Sequence, residues 1–189
     1  MDYSIRTIRA DEWEKARELR LAALQDPIAH LAFLDTYEDA VTRPDSFWQE
    51  RAAGASDTGP GEVIQFVAEA PDGRWVGSVT VLVERPAGDA VLGAAVKVDQ
   101  THVVGVFVRP EARGSGAIDG LFRAAVEWSW ALSAPAVERV RLYVHEENER
   151  AAAFYRRFGF VASGERVTLE SGVGAGGVEV EYELSRPAA

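Results

Sequence analysis

Two periodicities divide this chain. YSIRTIR (3–9) alternates apolar and polar residues and predicts a first strand. VIQFVAEA (63–70) and WVGSVTVLVE (75–84) are strand-length runs around PDGR (71–74), which predicts a hairpin. THVVGVFV (101–108) is almost continuously apolar, as expected of a strand covered on both faces, and VERVRLYVH (137–145) predicts another central strand. GFVASGERVTLE (159–170) and GVEVEYELS (177–185) predict a final pair around the glycine-rich SGVGAGG (171–177).

Helical spacing fills most of the rest. Trp13, Ala16, Leu19, Ala23 and Leu24 share a face, with Asp11 placed to cap that helix and Glu14 completing a box-like pattern. Helices are also predicted at 43–53, at 116–132 (stripe Ile118, Leu121, Phe122, Ala125, Val126) and at 149–158, whereas 31–41 is ambiguous. The order predicts a mixed sheet with helices on both faces and a parallel strand–helix–strand unit over 101–145.

The 189 residues suit a single domain spanning 1–189, and a 47% hydrophobic content marks a globular chain. No apolar run approaches the roughly 20 residues that span a bilayer. The charged N-terminal stretch lacks the apolar core of a signal peptide, so the expected location is cytoplasmic and no membrane partner is expected. No cysteine is present, which removes disulfides, thiolate metal sites and a cysteine nucleophile. Thirty acidic against 20 basic residues (net charge −10) argue against nucleic acid as a partner while leaving room for a local basic pocket. His30, His102 and His145 lack metal-ligand spacing, so no metal is expected.

The candidate chemistry begins at VRPEARGSGAIDG (108–120). Gly114, Ser115 and Gly116 fall between a buried strand and a helix start, where unpaired N–H groups favour an anion, and Arg109 and Arg113 can add charge. An ordinary glycine-requiring turn is the alternative. A dinucleotide fingerprint would need glycine at Asp119 and a place after the first strand. A P-loop would need Gly-Lys, which is absent, and a nucleophile elbow would need glycine at Arg113.

A second block, LYVHEENERAAAFYRRFGF (142–160), follows the next strand. Together the two blocks resemble the GNAT superfamily of N-acetyltransferases. The family's cofactor motif, Arg/Gln-x-x-Gly-x-Gly/Ala after a strand ending Val-x-Pro, is matched by Val108, Pro110, Arg113 and Gly116. Ile118 stands where the family has a small residue. Its second motif is matched without a gap by Leu142, Val144, Asn148, Ala151, Phe154, Tyr155, Gly159 and Phe160. The resemblance is specific over about 101–160 and generic elsewhere.

The resemblance implies an α/β (α+β) fold of the GNAT type: a central mixed, mostly antiparallel twisted sheet of six to seven strands, helices on both faces and splayed central strands. It implies acetyl-CoA as cosubstrate and acetyl transfer to a primary amine, with a protein N-terminus, a lysine or an aminoglycoside as further acceptors and a non-catalytic acetyl-CoA sensor as the rival class. Cofactor contacts are expected from Val106, Phe107, Val108, Arg113, Gly114, Ser115, Gly116, Ala117, Ile118, Asn148 and Tyr155, with pantetheine pairing along 106–108 and Val106 N–H as the oxyanion donor. Gly105, inside a bulky strand, suggests a bulge or a close backbone approach, and the resemblance implies that this strand bulges and splays from the next.

Tyr155 matches the family's general acid, although its spacing alone also fits a core tyrosine. Asn148 serves as helix cap, cofactor contact or both. His102 is the candidate base, since a histidine ordinarily titrates near neutral pH, with a half-exposed strand histidine as the equal alternative. By simple alternation it shares a face with Val104, Val106 and Val108. Tyr37, Glu38, Asp99 and a water chain are alternatives. Phe33, Tyr37 and Glu38 are the candidate acceptor-binding residues, with Phe47 and Trp48 nearby in sequence. Aromatics with acids fit a cationic amine, and ordinary helix packing explains them equally well; the negative net charge favours a cationic acceptor, and a small-molecule amine is the expected class. A homodimer is common among relatives.

Overall fold

The paired apolar runs at 63–70 and 75–84 build the hairpin that centres one half of the sheet. Strands β2 (Val63–Glu69) and β3 (Trp75–Glu84) pair antiparallel around a turn. In that turn the Gly73 N–H donates to Ala70 O and the Asp72 carboxylate accepts from Arg74 N–H. The coordinates are a computed structural model that describes residues 3–86, 88, 90, 92–170 and 175–188. Part of the glycine-rich 171–177 therefore lies outside the described residues.

β1 (Ser4–Thr7) joins one edge, β4 (Gln100–Val108) lies against β3, and β5 (Arg139–His145), β7 (Val178–Ser185) and β6 (Val161–Thr168) complete a seven-stranded sheet in the order β1-β2-β3-β4-β5-β7-β6. All neighbours are antiparallel except β4 and β5, the parallel pair predicted over 101–145.

The two faces carry separate cores. Helices α5 (Ala117–Ala131) and α6 (Glu149–Phe158) cover one face. Leu121, Phe122 and Ala125 of α5 and Ala152 and Tyr155 of α6 pack on Val79, Val103 and Leu142. On the other face α1 (Trp13–Leu24) and α4 (Asp45–Gly54) bury Leu19, Ala23, Trp48 and Ala52 against Val67 and Phe107. Two short helices, α2 (Ala29–Ala32) and α3 (Tyr37–Val41), occupy the ambiguous stretch between them. Removal of apolar area from water on both faces is why the central strands lack clean alternation.

The α1 cap differs from the predicted box. The helix begins at Trp13 after Glu12, with no side-chain cap from Asp11. Glu12 is buried instead. It accepts from Arg9 N–H at 2.9 Å and from Arg6 Nη1 at 2.8 Å, so a carboxylate one residue further on is consumed in fastening β1 to the helix.

β4 carries a bulge that sequence alternation misses. Val104 faces Thr80 and Phe107 faces Ser78, so three steps on β4 oppose two on β3. Gly105 absorbs the extra residue at φ +62°, a left-handed conformation that glycine adopts without a Cβ penalty. Side chains beyond the bulge change faces: Val106 and Val108 pack in the α5–α6 core, and Phe107 in the α1–α4 core. His102 therefore shares its face with Val104 and Phe107, not with Val106 and Val108.

Candidate active site

The pairing of β4 with β5 runs only through Gln100–Arg139, Thr101–Val140 and His102–Arg141. Beyond His102 the strands part, and a cavity of about 720 Å³ occupies the opening. Residues 102–108 of β4 form one wall, Tyr143 and Val144 of β5 another, and Ala29–Ala32 with Phe33 a third.

A phosphate-sized anion has a prepared place at one end. After β4 a single 3-10 turn (Pro110–Ala112) leads into Gly114 at φ +76° and Gly116 at φ +89°, with open space where their Cβ atoms would be. Gly116 is the residue before α5, and no side chain caps that helix. The N–H groups of Gly114, Gly116, Ala117 and Ile118 have no acceptor among the described residues. Unpaired N–H groups at the positive end of a 15-residue helix suit an anion. Gly114, Gly116 and Ile118 line the cavity, whereas Ser115 turns its hydroxyl onto Ala112 O and Ala117 is buried under the helix.

The arginines of this segment are committed elsewhere. Arg113 donates from Nε to Val108 O at 3.1 Å, and its guanidinium pairs with the buried Asp26 carboxylate. Arg109 donates to Trp75 O at 2.9 Å and pairs with Glu18. Both fasten the α1 end of the molecule to β4, and Arg113 still borders the cavity. Arg150 and Arg157, from α6, also line it.

Asn148 and Tyr155 reach the same space from α6. Asn148 is the helix cap, its Oδ1 accepting from Ala151 N–H at 3.3 Å, and it also borders the cavity. Tyr155 packs among Phe122, Phe154, Phe160 and Tyr182, yet its hydroxyl has no hydrogen-bond partner among the described residues and the residue lines the cavity. Burial, with a smaller contribution from the Glu179 carboxylate, pushes the Tyr155 hydroxyl well above the usual phenol value, so it holds its proton.

These elements follow the order of a known family, and the chain matches the acetyltransferase (GNAT) family over residues 13–160. It belongs to the GNAT family.

The fold agrees at full length. A GNAT acetyltransferase from Streptococcus pneumoniae superposes with a TM-score of 0.73 at 15% identity, covering 98% of this chain and 100% of that one. NAA60 from Arabidopsis thaliana, in complex with acetyl-CoA, gives 0.68 at 16%, covering 97% and 98%. A phosphinothricin acetyltransferase from Sinorhizobium meliloti, also with acetyl-CoA, gives 0.69 at 14%, covering 98% and 89%. No curated protein sequence matches the chain.

In this GNAT chain His102 sits where β4 and β5 part. Its Nδ1 is 3.0 Å from Glu84 Oε1, while Nε2 has no partner among the described residues, and the residue borders the cavity. Burial alone would raise the Glu84 carboxyl. Hydrogen bonds from His102 and Gln100 and the charge of Arg141 hold it below the ordinary carboxylate value. Arg141 is fully buried between Glu84 (2.7 Å) and Glu181 (3.1 Å), and the Tyr143 hydroxyl donates to Glu181 at 2.8 Å. Residue 94 closes over this network, its N–H donating to Tyr143 Oη and its carbonyl accepting from Arg141.

Phe33 lines the cavity, with the Arg20 guanidinium 4.5 Å above its ring. Tyr37 and Glu38 do not line it: Tyr37 packs against the α1–α4 core, and Glu38 lies in the first turn of α3. Trp48 is a core residue.

Glu179, at the start of β7, is the residue the sequence did not single out. It is nearly buried, lines the cavity and has no hydrogen-bond or ion-pair partner among the described residues; burial pushes its carboxyl up to about 7. Its sequence context, alternating GVEVEYELS, marks it only as one of three glutamates on one face of a strand.

Among the described residues no group of three or more His, Cys, Asp or Glu is arranged to hold a metal, and no helix is long and apolar enough to cross a membrane.

Proposed function

We propose that this chain transfers the acetyl group of acetyl-CoA to a primary amine of a small molecule, by direct attack within a ternary complex. The observation that carries the reading is the convergence on one cavity of the unpaired N–H groups of Gly114, Gly116 and Ile118, the unpartnered Tyr155 hydroxyl and the Glu84-bound His102.

Acetyl-CoA supplies an acetyl group already activated as a thioester. The residues fit it. The unpaired N–H groups of Gly114, Gly116, Ala117 and Ile118 would take the pyrophosphate, with Arg150 and Arg157 adding charge from α6. β4 beyond Gly105, freed from β5, would offer its backbone to the pantetheine, and Asn148 its side-chain amide.

Ionised Glu84 favours the tautomer with the proton on His102 Nδ1, leaving Nε2 to accept a proton. His102 Nε2 takes a proton from the attacking amine as the new C–N bond forms. The Val106 N–H would stabilise the negative charge developing on the carbonyl oxygen. Tyr155 Oη gives its proton to the sulfur as the C–S bond breaks. Each proton has a source and a destination, and because the amine attacks the thioester carbonyl directly, with CoA thiol as the leaving group, no covalent enzyme intermediate is needed. We place its site of action in the cytoplasm, as the sequence reading expects.

Incubation of the purified protein with acetyl-CoA and a panel of amines, read by mass spectrometry, tests this. One acetylated amine per CoA formed is expected. Acetylation only of protein lysines or N-termini would move the acceptor class. Acetyl-CoA binding without any acetylated product would favour a sensor.

A further inference from the structure

The acceptor side of the cavity carries positive charge that the fold does not neutralise. Arg20 of α1 and Arg51 of α4 both line the main cavity. They also line a smaller cleft with Ser78, Thr80, Gly105 and Phe107. The pair thus stands at the β4 bulge, where the strands begin to part, and not among the N–H groups of the Gly114–Ile118 turn.

One carboxylate serves three arginines there. Asp35 is engaged by Arg43, at 2.9 Å to Oδ2 and 3.0 Å to Oδ1. Arg20 stands back at 3.7 Å from the same carboxylate, with its guanidinium over the Phe33 ring. Arg51 has no ion-pair or hydrogen-bond partner among the described residues. The electrostatics agree with that count. Burial, then the charge of Arg51, pulls the Arg20 guanidinium down to about 10, with Asp35 compensating only in part. Arg51 is lowered likewise, by burial and by Arg43. Cations crowded together in a sheltered wall are relieved by an incoming anion.

The cavity also has an acidic side. Glu179 on β7 faces the same space with no cation beside it among the described residues. A ligand with an ammonium group and a carboxylate would complement both.

We infer that Arg20 and Arg51 form an anion subsite, and that the acceptor is an amino-acid-like molecule whose carboxylate they hold while its amine faces the thioester. The inference rests on the acetyl-transfer reading for the role of the amine, but the anion subsite itself is a matter of binding. The local charge runs opposite to the net charge of the chain, which by itself favours a cationic acceptor. A planar carboxylate matches the guanidinium fork.

The test uses the standard amino acids, each as free acid and as α-amide. Calorimetric binding to the protein–CoA complex and turnover with acetyl-CoA are both measured, for the wild type, Arg20→Gln and Arg51→Gln. At least one acid is expected to bind about tenfold or more tighter than its amide, the scale of a charged hydrogen-bonded pair. Either substitution should remove that preference. Having two variants, each checked by thermal melting, separates misfolding from loss of the subsite. Equal binding of every acid and its amide overturns the inference even if amines are acetylated. So does a rise in the KM for acetyl-CoA in the variants without loss of acid preference, since the arginines would then serve the cosubstrate. Arginine-dependent binding of an acid without turnover supports the subsite and contradicts the transfer reading instead.

Discussion

His102 Nδ1 lies 3.0 Å from Glu84 Oε1, and the two side chains are only 1% and 3% exposed. A carboxylate in that position orients the ring and leaves one nitrogen for the cavity. His102→Ala should lower kcat by roughly 10²–10⁴-fold, the usual contribution of a positioned base, with the KM for acetyl-CoA little changed. Steady-state kinetics measure both. A kcat within about twofold of wild type would assign the base elsewhere, since a lost base costs far more.

Tyr155 offers a cleaner substitution. Its hydroxyl has no partner among the described residues, and its ring is held by Phe122, Phe160 and Tyr182. Tyr155→Phe keeps the ring, so the melting temperature should stay close to that of the wild type while kcat falls by at least about tenfold. Loss of stability in step with loss of activity would mark a core residue and not an acid.

Glu179 makes a pH-dependent statement about stability. Its carboxyl titrates at about 7 in the folded chain against an ordinary 4.5. Between those values the folded chain keeps a proton that the unfolded chain releases, so this group's contribution is full below pH 4.5 and is lost as pH rises through 7. Its charge adds to the burial that pushes up the Tyr155 hydroxyl, and His145 is its cross-strand partner. Glu179→Gln removes the charge at little packing cost. Urea denaturation should find the variant more stable than wild type by about 1–3 kcal/mol near pH 8, with the difference vanishing near pH 4. A constant difference across that range would show that the carboxyl is not held in its protonated form.

The Gly114–Ile118 turn is tested by one methyl group. A Cβ at Gly116 meets nothing within 4 Å, so Gly116→Ala introduces no clash, only the strain of φ +89°. That strain is worth about 1–2 kcal/mol. Relaxing it shifts the N–H groups of the turn, so the KM for acetyl-CoA should rise about tenfold, in line with that energy, with a smaller change in kcat. An unchanged KM would place the pyrophosphate elsewhere.

What the chain showed beforehand was what local sequence controls. The bounds of α6, its Asn148 cap and the hairpin around Asp72–Gly73 each depend on residues a few positions apart, and all three were legible. The parallel β4–α5–β5 unit followed from the order of its elements. Less legible were features set by register between distant segments. The Gly105 bulge was suspected from the glycine, yet its reversal of the faces of Val106 and Val108 shows only in pairing with β3. Arg113 reads in the sequence as a phosphate ligand, and its pairing with Asp26, 87 positions away, shows only in the structure. Glu84, the partner of His102, sits 18 positions away at the end of a strand that reads as plain hydrophobic sheet. Arg20 and Arg51 lie on helices whose spacing announced only packing.

The most direct test of acetyl transfer is the initial rate of free thiol release from acetyl-CoA, with and without amine, on protein whose acetyl-CoA binding has been established by calorimetry. The account predicts slow release alone, a saturable increase with a primary amine, and loss of that increase in Tyr155→Phe with binding intact. Tight acetyl-CoA binding with a release rate that no amine raises would contradict it.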